Sequence, residues 1–208
     1  MRFIFSVLSI ITALLFTTTF TYADTLPLKT VNRTTDKVID ILRDKDLKKP
    51  QNSDLRRSSI KKTITEVFDF EEMTKRSLSI HWQKRTAQEK KEFVLLFSDL
   101  LEKSYIKKIE SYSDEKIEYL DEKIDGDNAL VRSKIITKRG LEIPIDYKLM
   151  KKETKWFVYD VIIEGVSLVS NYRNQFNRII RQSSYEDLVK KMKNKQEEEI
   201  FLDKKNSL

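Results

Sequence analysis

Lys155 to Arg173 reads KWFVYDVIIEGVSLVSNYR, and its two halves obey different periods. Trp156 to Ile163 is aromatic and β-branched, the composition of a strand. Its odd positions, Phe157, Tyr159, Val161 and Ile163, are all apolar, while its even face is mixed, with Asp160 among Trp156, Val158 and Ile162. Gly165 frees the backbone to turn. Ser167 suits a helix N-cap. Leu168, Tyr172, Phe176, Ile179 and Ile180 then continue at helical spacing. A greasy strand therefore passes through a Glu-Gly corner into an amphipathic helix.

Working back from this stretch, three further strands precede it. Ile117 to Ile124, Leu130 to Thr137 and Leu141 to Met150 are separated by Asp125-Gly126-Asp127-Asn128 and Arg139-Gly140. Short turns between them predict an antiparallel meander of four strands. Pro144 inside the third predicts an edge strand or a bulge. Upstream of residue 116 the periodicity is helical. Leu28, Val31, Val38 and Leu42 mark one helix, and Leu55, Ile60, Ile64, Val67 and Phe68 a second. Asp69 with Glu72, and Thr86 with Glu89, have the capping-box spacing. The first predicts a short helix reaching Trp82. The second predicts a long one striped by Phe93, Leu96, Phe97, Leu100, Leu101 and Tyr105. Ser184 with Asp187 opens a last helix. The expected fold class is α+β, a four-stranded antiparallel sheet with helices packed on one face, and the wide aromatic stripe of the long helix suits either a core or the wall of an apolar cavity enclosed between them.

The two ends read differently. Arg2, the apolar run Phe3 to Phe16, and Thr21-Tyr22-Ala23 form a secretory signal peptide over residues 1–23, with the mature chain expected to start near Asp24. A single domain is expected over 24–195, followed by a charged, disordered tail over 196–208. The 208 residues hold 40 Lys and Arg against 33 Asp and Glu, a formal charge of +7. Losing Arg2 with the signal leaves +6. Charge of both signs so finely mixed suits a solvated surface with a modest lean toward anionic lipid, not a dedicated nucleic-acid binder.

Catalytic candidates are few. Cysteine is absent, so thiolate chemistry and disulfides are excluded. The three glycines cannot build a phosphate loop. His81 is the single histidine, and its place beside Trp82 at a helix end fits packing or capping. Asp160 and Glu164 lie about 13 Å apart along an extended strand, too far to share a substrate atom. Bonding of Asp160 to Arg173 or to the start of the next helix is the expectation.

The residues also resemble a family. Val158-Tyr159-Asp160-Val161, Glu164-Gly165-Val166-Ser167-Leu168-Val169 and Asn171-Tyr172-Arg173 are similar to the signature of the MlaC, or toluene-tolerance, family. So are Phe68-Asp69-Phe70, Met73-Thr74, Leu78 to Trp82, and the series from Thr86 to Tyr105. The similarity spans roughly residues 30 to 195. Ser79 departs from it, standing where the family usually has glycine, and Thr154-Lys155 replaces a glycine-containing turn.

The resemblance implies a monomeric periplasmic carrier that grips phospholipid by its acyl chains, with no cofactor and no catalysis. It also implies two partners: an inner-membrane ABC transporter complex with an MCE subunit, and an outer-membrane lipoprotein–porin complex. Alternation then nominates Tyr147, Leu149, Tyr159, Val161 and Ile163 as cavity lining from the sheet. Phe97, Leu100, Tyr105, Val166 and Val169 are nominated from the helices. The residues by themselves leave two alternatives: an enzyme acting on a hydrophobic small molecule on a cone-shaped α+β scaffold, and a non-catalytic interaction module.

Overall fold

A computed structural model describes residues 26–112 and 114–194. The predicted signal peptide, residues 1–23, and the expected tail, residues 196–208, lie outside the described residues. Four helices come first: α1 (Pro27–Arg43), α2 (Ser53–Thr65), α3 (Phe70–Leu78) and α4 (Ala87–Glu110). A meander of β1 (Lys116–Asp125), β2 (Asn128–Ile136), β3 (Glu142–Lys152) and β4 (Lys155–Ile163) follows. Then come a two-residue β5 (Val166–Ser167), α5 (Leu168–Gln182) and α6 (Tyr185–Lys193). The sheet order is β1-β2-β3-β4-β5, every pair antiparallel. The α+β class is as the pattern predicts, with a fifth short strand added.

Local chemistry explains the helix starts. Thr86 and Glu89 close a full capping box at α4, the Thr86 amide donating to the Glu89 carboxylate at 2.7 Å. At α3 only half a box forms. Asp69 accepts from the Glu72 amide at 3.0 Å, but its own amide goes to the Val158 carbonyl instead. That bond belongs to a short parallel bridge, Phe68 to Val158, which lays the α2–α3 connection along the edge of β4. The edge left open by the brief β5 is thus covered. Ser184 caps α6 as expected, accepting from the Asp187 amide.

Pro144 corrects an expectation. β3 is an interior strand, yet the proline is tolerated because of where it sits in the ladder. The Pro144 carbonyl accepts from Glu164, so its ring nitrogen faces the same side, beyond the last β3–β4 pair, Ile145 with Ile163. No ladder bond is lost there.

The corner after β4 is a two-residue hairpin. Glu164 and Gly165 both have positive φ, 50° and 80°, the pattern of a type I′ turn. A Cβ at Gly165 would meet nothing within 4 Å, so any penalty there is purely conformational. Gly165→Val is expected to destabilise by about 1–3 kcal/mol. Thermal melting checks this; a curve superimposing on the parent's would refute it. Ser79, at φ 50° and ψ −121°, occupies another glycine-like conformation, at the position where the resemblance leads one to expect glycine.

Candidate functional site: an apolar seam

The interior is divided. One apolar cluster is helical and lies between α3, α4, α5 and α6, built around Phe93, Phe97, Leu101, Tyr172 and Phe176. Its rings interlock edge to face, Phe97 lying 5.1 Å from Tyr172 and 5.3 Å from Phe176. A second cluster lies on the sheet under α1 and is built from Val31, Ala129, Val131, Leu149, Trp156, Val158 and Val161. Tyr105 of α4 and Phe68 pack against both clusters. The start of α5 straddles them too: Leu168 joins the sheet cluster and its neighbour Val169 the helical one. A seam therefore runs between sheet and helices.

The nominated residues distribute along it unevenly. Leu149 and Val161 are buried in the sheet cluster, with Tyr147 and Ile163 packed against them. Phe97, Leu100 and Val169 are buried on the helical side. Tyr159 falls elsewhere than alternation predicts, and Val166 elsewhere than the helix it was expected in. The β3–β4 register slips between Lys148 and Leu149, leaving Tyr159 as the extra residue of a bulge. The inward face of β4 is consequently Trp156, Val158, Val161 and Ile163, changing parity at the bulge. Tyr159 packs against the helical cluster, with the Arg76 guanidinium 4.1 Å over its ring. Val166 was assigned to the helix; it lies in β5 and is 56% exposed.

Asp160 is 3% exposed and stands where β4 meets the start of α5. One carboxylate oxygen accepts from the Ser167 hydroxyl at 2.6 Å, the other from the Val169 amide at 3.1 Å. Ser167 in turn accepts from the Ser170 amide at 3.0 Å. The acid thus ties β4 to the amide end of α5, one of the two expected arrangements. Lys148 supplies a cation 3.8 Å away. His81 faces Asn177 across 3.0 Å, a link between the turn after α3 and α5.

Beside the Asp160 anchor, the seam's polar side chains include three phenols. Burial pushes the Tyr105 hydroxyl up to about 12. Burial also raises Tyr147 and Tyr119 above their ordinary value, so the phenols keep their protons at neutral pH. The phenols give this apolar surface a few neutral donors, and the Glu122 carboxylate stands on the same sheet face, accepting from the Leu28 amide. A separate cleft of about 310 Å³ lies along the outer face of α5, lined by Asn174, Asn177, Arg178, Arg181 and Gln182. Its polar, open wall is unsuited to hydrocarbon. Sequence reasoning had not singled it out, since arginines and amides at helical spacing read as a solvated face. Among the described residues no group of three or more His, Cys, Asp or Glu gathers, and no helix is long and apolar enough to cross a membrane.

Comparison with known proteins bears on this arrangement. Residues 32–194 match the family model described as MlaC protein. The chain is 24% identical over 193 residues to the intermembrane phospholipid transport system binding protein MlaC of Haemophilus influenzae, with 90% of each chain covered. The solved structure of a phospholipid-binding protein from Ralstonia solanacearum, in complex with a phospholipid, matches with a TM-score of 0.71 and 25% identity. That match covers 82% of this chain and 95% of the other.

Proposed function

The chain belongs to the MlaC family, and on that premise we propose that it carries phospholipid, holding the acyl chains in the seam between sheet and helices. The observation that carries this reading is the divided core. Two clusters that meet through few shared side chains can part along the seam while each keeps its own packing. An acyl chain entering there exchanges side-chain contacts for equivalent contacts with hydrocarbon. Each buried CH₂ contributes about 0.8 kcal/mol, so two long tails supply on the order of 20 kcal/mol before costs. Gripping tails alone leaves the head group free and makes the carrier tolerant of lipid class. The relative's role in intermembrane transport and the neighbour's bound phospholipid support the same reading.

The proposal extends to location and traffic. The mature chain, one lipid-binding unit, works in the periplasm after signal-peptide cleavage. It exchanges cargo with an inner-membrane ABC transporter complex bearing an MCE subunit and with an outer-membrane lipoprotein–porin complex. It acts as a carrier, not an enzyme, and the direction of flow is set by those partners.

Protein purified without detergent is expected to bring phospholipid with it, near one molecule per chain, seen by native mass spectrometry and solvent extraction. The lipid should mirror the composition of the membrane. Protein that emerges empty, and takes none from liposomes, would overturn the carrier reading and favour an interaction module.

A further inference from the structure

The hydroxyl of Tyr119 is buried and has no hydrogen-bond partner among the described residues. Leaving such a donor unmet is costly, since it has given up its bond to water and gained none in return. Folded proteins seldom keep one unless something else completes it. Thr35 and Asn32 of α1 lie nearest the phenol, yet neither places an acceptor in hydrogen-bond geometry with it, and the hydroxyls beside it spend their own protons elsewhere. Ser133, directly opposite Tyr119 in the ladder, donates its hydroxyl to the Ile145 carbonyl at 2.6 Å. Thr35 of α1, above the same face, donates to the Val31 carbonyl at 3.0 Å. Glu122 receives the Leu28 amide at 2.8 Å.

Tyr119 does not stand alone. Tyr147 packs against the same sheet cluster, and Thr35 lies near both rings. Two phenols from β1 and β3 therefore converge beneath α1, on the seam side of the sheet. Their surroundings select the acceptor. Burial keeps both phenols protonated, so they donate and bring no charge. The inward-facing positions of β2 and β3, from Ala129 to Ile135 and from Ile143 to Leu149, hold no Lys or Arg. Glu122, opposite Val131, adds a negative charge to that face. On the sheet face a phosphate would meet a carboxylate and no cation. A neutral carbonyl oxygen meets neither obstacle.

We propose that Tyr119, assisted by Tyr147, donates a hydrogen bond to an ester carbonyl of the glycerolipid, setting how deep the tails sit and selecting acyl esters over ether-linked chains. This rests on the carrier reading, and it assigns that site a recognition element that apolar burial does not supply.

The test compares two synthetic phosphatidylglycerols with equal tails, one diester and one diether, offered in vesicles to delipidated mature protein. Wild type is expected to load the diester about fivefold in preference, the size of one net hydrogen bond. Tyr119→Phe should lose that preference while its empty form melts no lower than wild type, because an unmet hydroxyl has been removed. Tyr147→Phe should lose it in part. Equal loading of both lipids by wild type would refute the proposal and leave the carrier reading standing. Undiminished preference in Tyr119→Phe would refute it as well. If Tyr119→Phe weakens both lipids by the same factor, the acceptor is the phosphate, and the ester assignment is wrong. If wild type loads neither lipid, the carrier reading fails and this proposal fails with it.

Discussion

Asp160→Ala is expected to cost about 3 kcal/mol of stability, lowering the melting temperature by roughly 6–12 °C for a chain of this size. The carboxylate is buried and accepts two hydrogen bonds, from the Ser167 hydroxyl and the Val169 amide. Deleting it strands the buried Val169 amide, frees the partly buried Ser167 hydroxyl and takes the counter-ion from the half-exposed Lys148. The Val169 amide belongs to the first turn of α5, where no carbonyl of the helix can take its place. Asp160→Asn keeps the shape and one good acceptor, and should lose about half as much. Chemical and thermal unfolding followed by circular dichroism measure both. An alanine variant melting within about a degree of the parent would show that the first turn of α5 needs no such anchor. Because Val169 stands at the seam, the alanine variant should also release cargo faster than the asparagine variant.

The second large effect concerns the seam itself. Val161→Glu should abolish most cargo occupancy at neutral pH. Val161 is 7% exposed and paired with Tyr147 in the ladder, so its side chain faces the sheet cluster where a tail would lie. A carboxylate there has no cationic partner on its face and repels hydrocarbon by several kcal/mol. Burial raises the pKa of an unpaired carboxyl. Lowering the pH through that raised value neutralises the group, so occupancy should recover at acid pH and fall again as the carboxylate forms. Native mass spectrometry at two pH values, with circular dichroism to show that the variant folds, reads the result. Val161→Thr, nearly isosteric, should lose less at any pH. Full occupancy in a folded Val161→Glu protein at neutral pH would place the cargo elsewhere.

Ser167 was legible as a cap because its partner, the Ser170 amide, lies three residues away. Thr86 with Glu89 and Ser184 with Asp187 were legible for the same reason. The half-box at Asp69 shows where that logic ends. Its amide was taken by Val158, a residue 89 positions distant, and no local pattern announces such a bond. Tyr159 was misplaced by the same kind of event. Alternation assumes an unbroken register, and one extra residue in β4 inverts the parity of everything beyond it. Tyr119 was not singled out at all. Its strand alternates weakly, and an unmet hydroxyl becomes visible only when every neighbouring donor and acceptor has been placed.

By itself the sequence determined the run of helices, then strands, then helices, and the turns between them, because these rest on composition and on spacings of two to four residues; the family came from the resemblance of its residues to a known signature. Only the tertiary structure decided the rest. It placed β3 inside the sheet despite Pro144, added β5 after a type I′ turn, covered the β4 edge with Val67–Asp69, and divided the core along a seam. Those outcomes depend on which distant surfaces meet. An apolar side chain is equally content in either of two clusters, so its hydrophobicity says that it will be buried, and the packing of the whole chain says where.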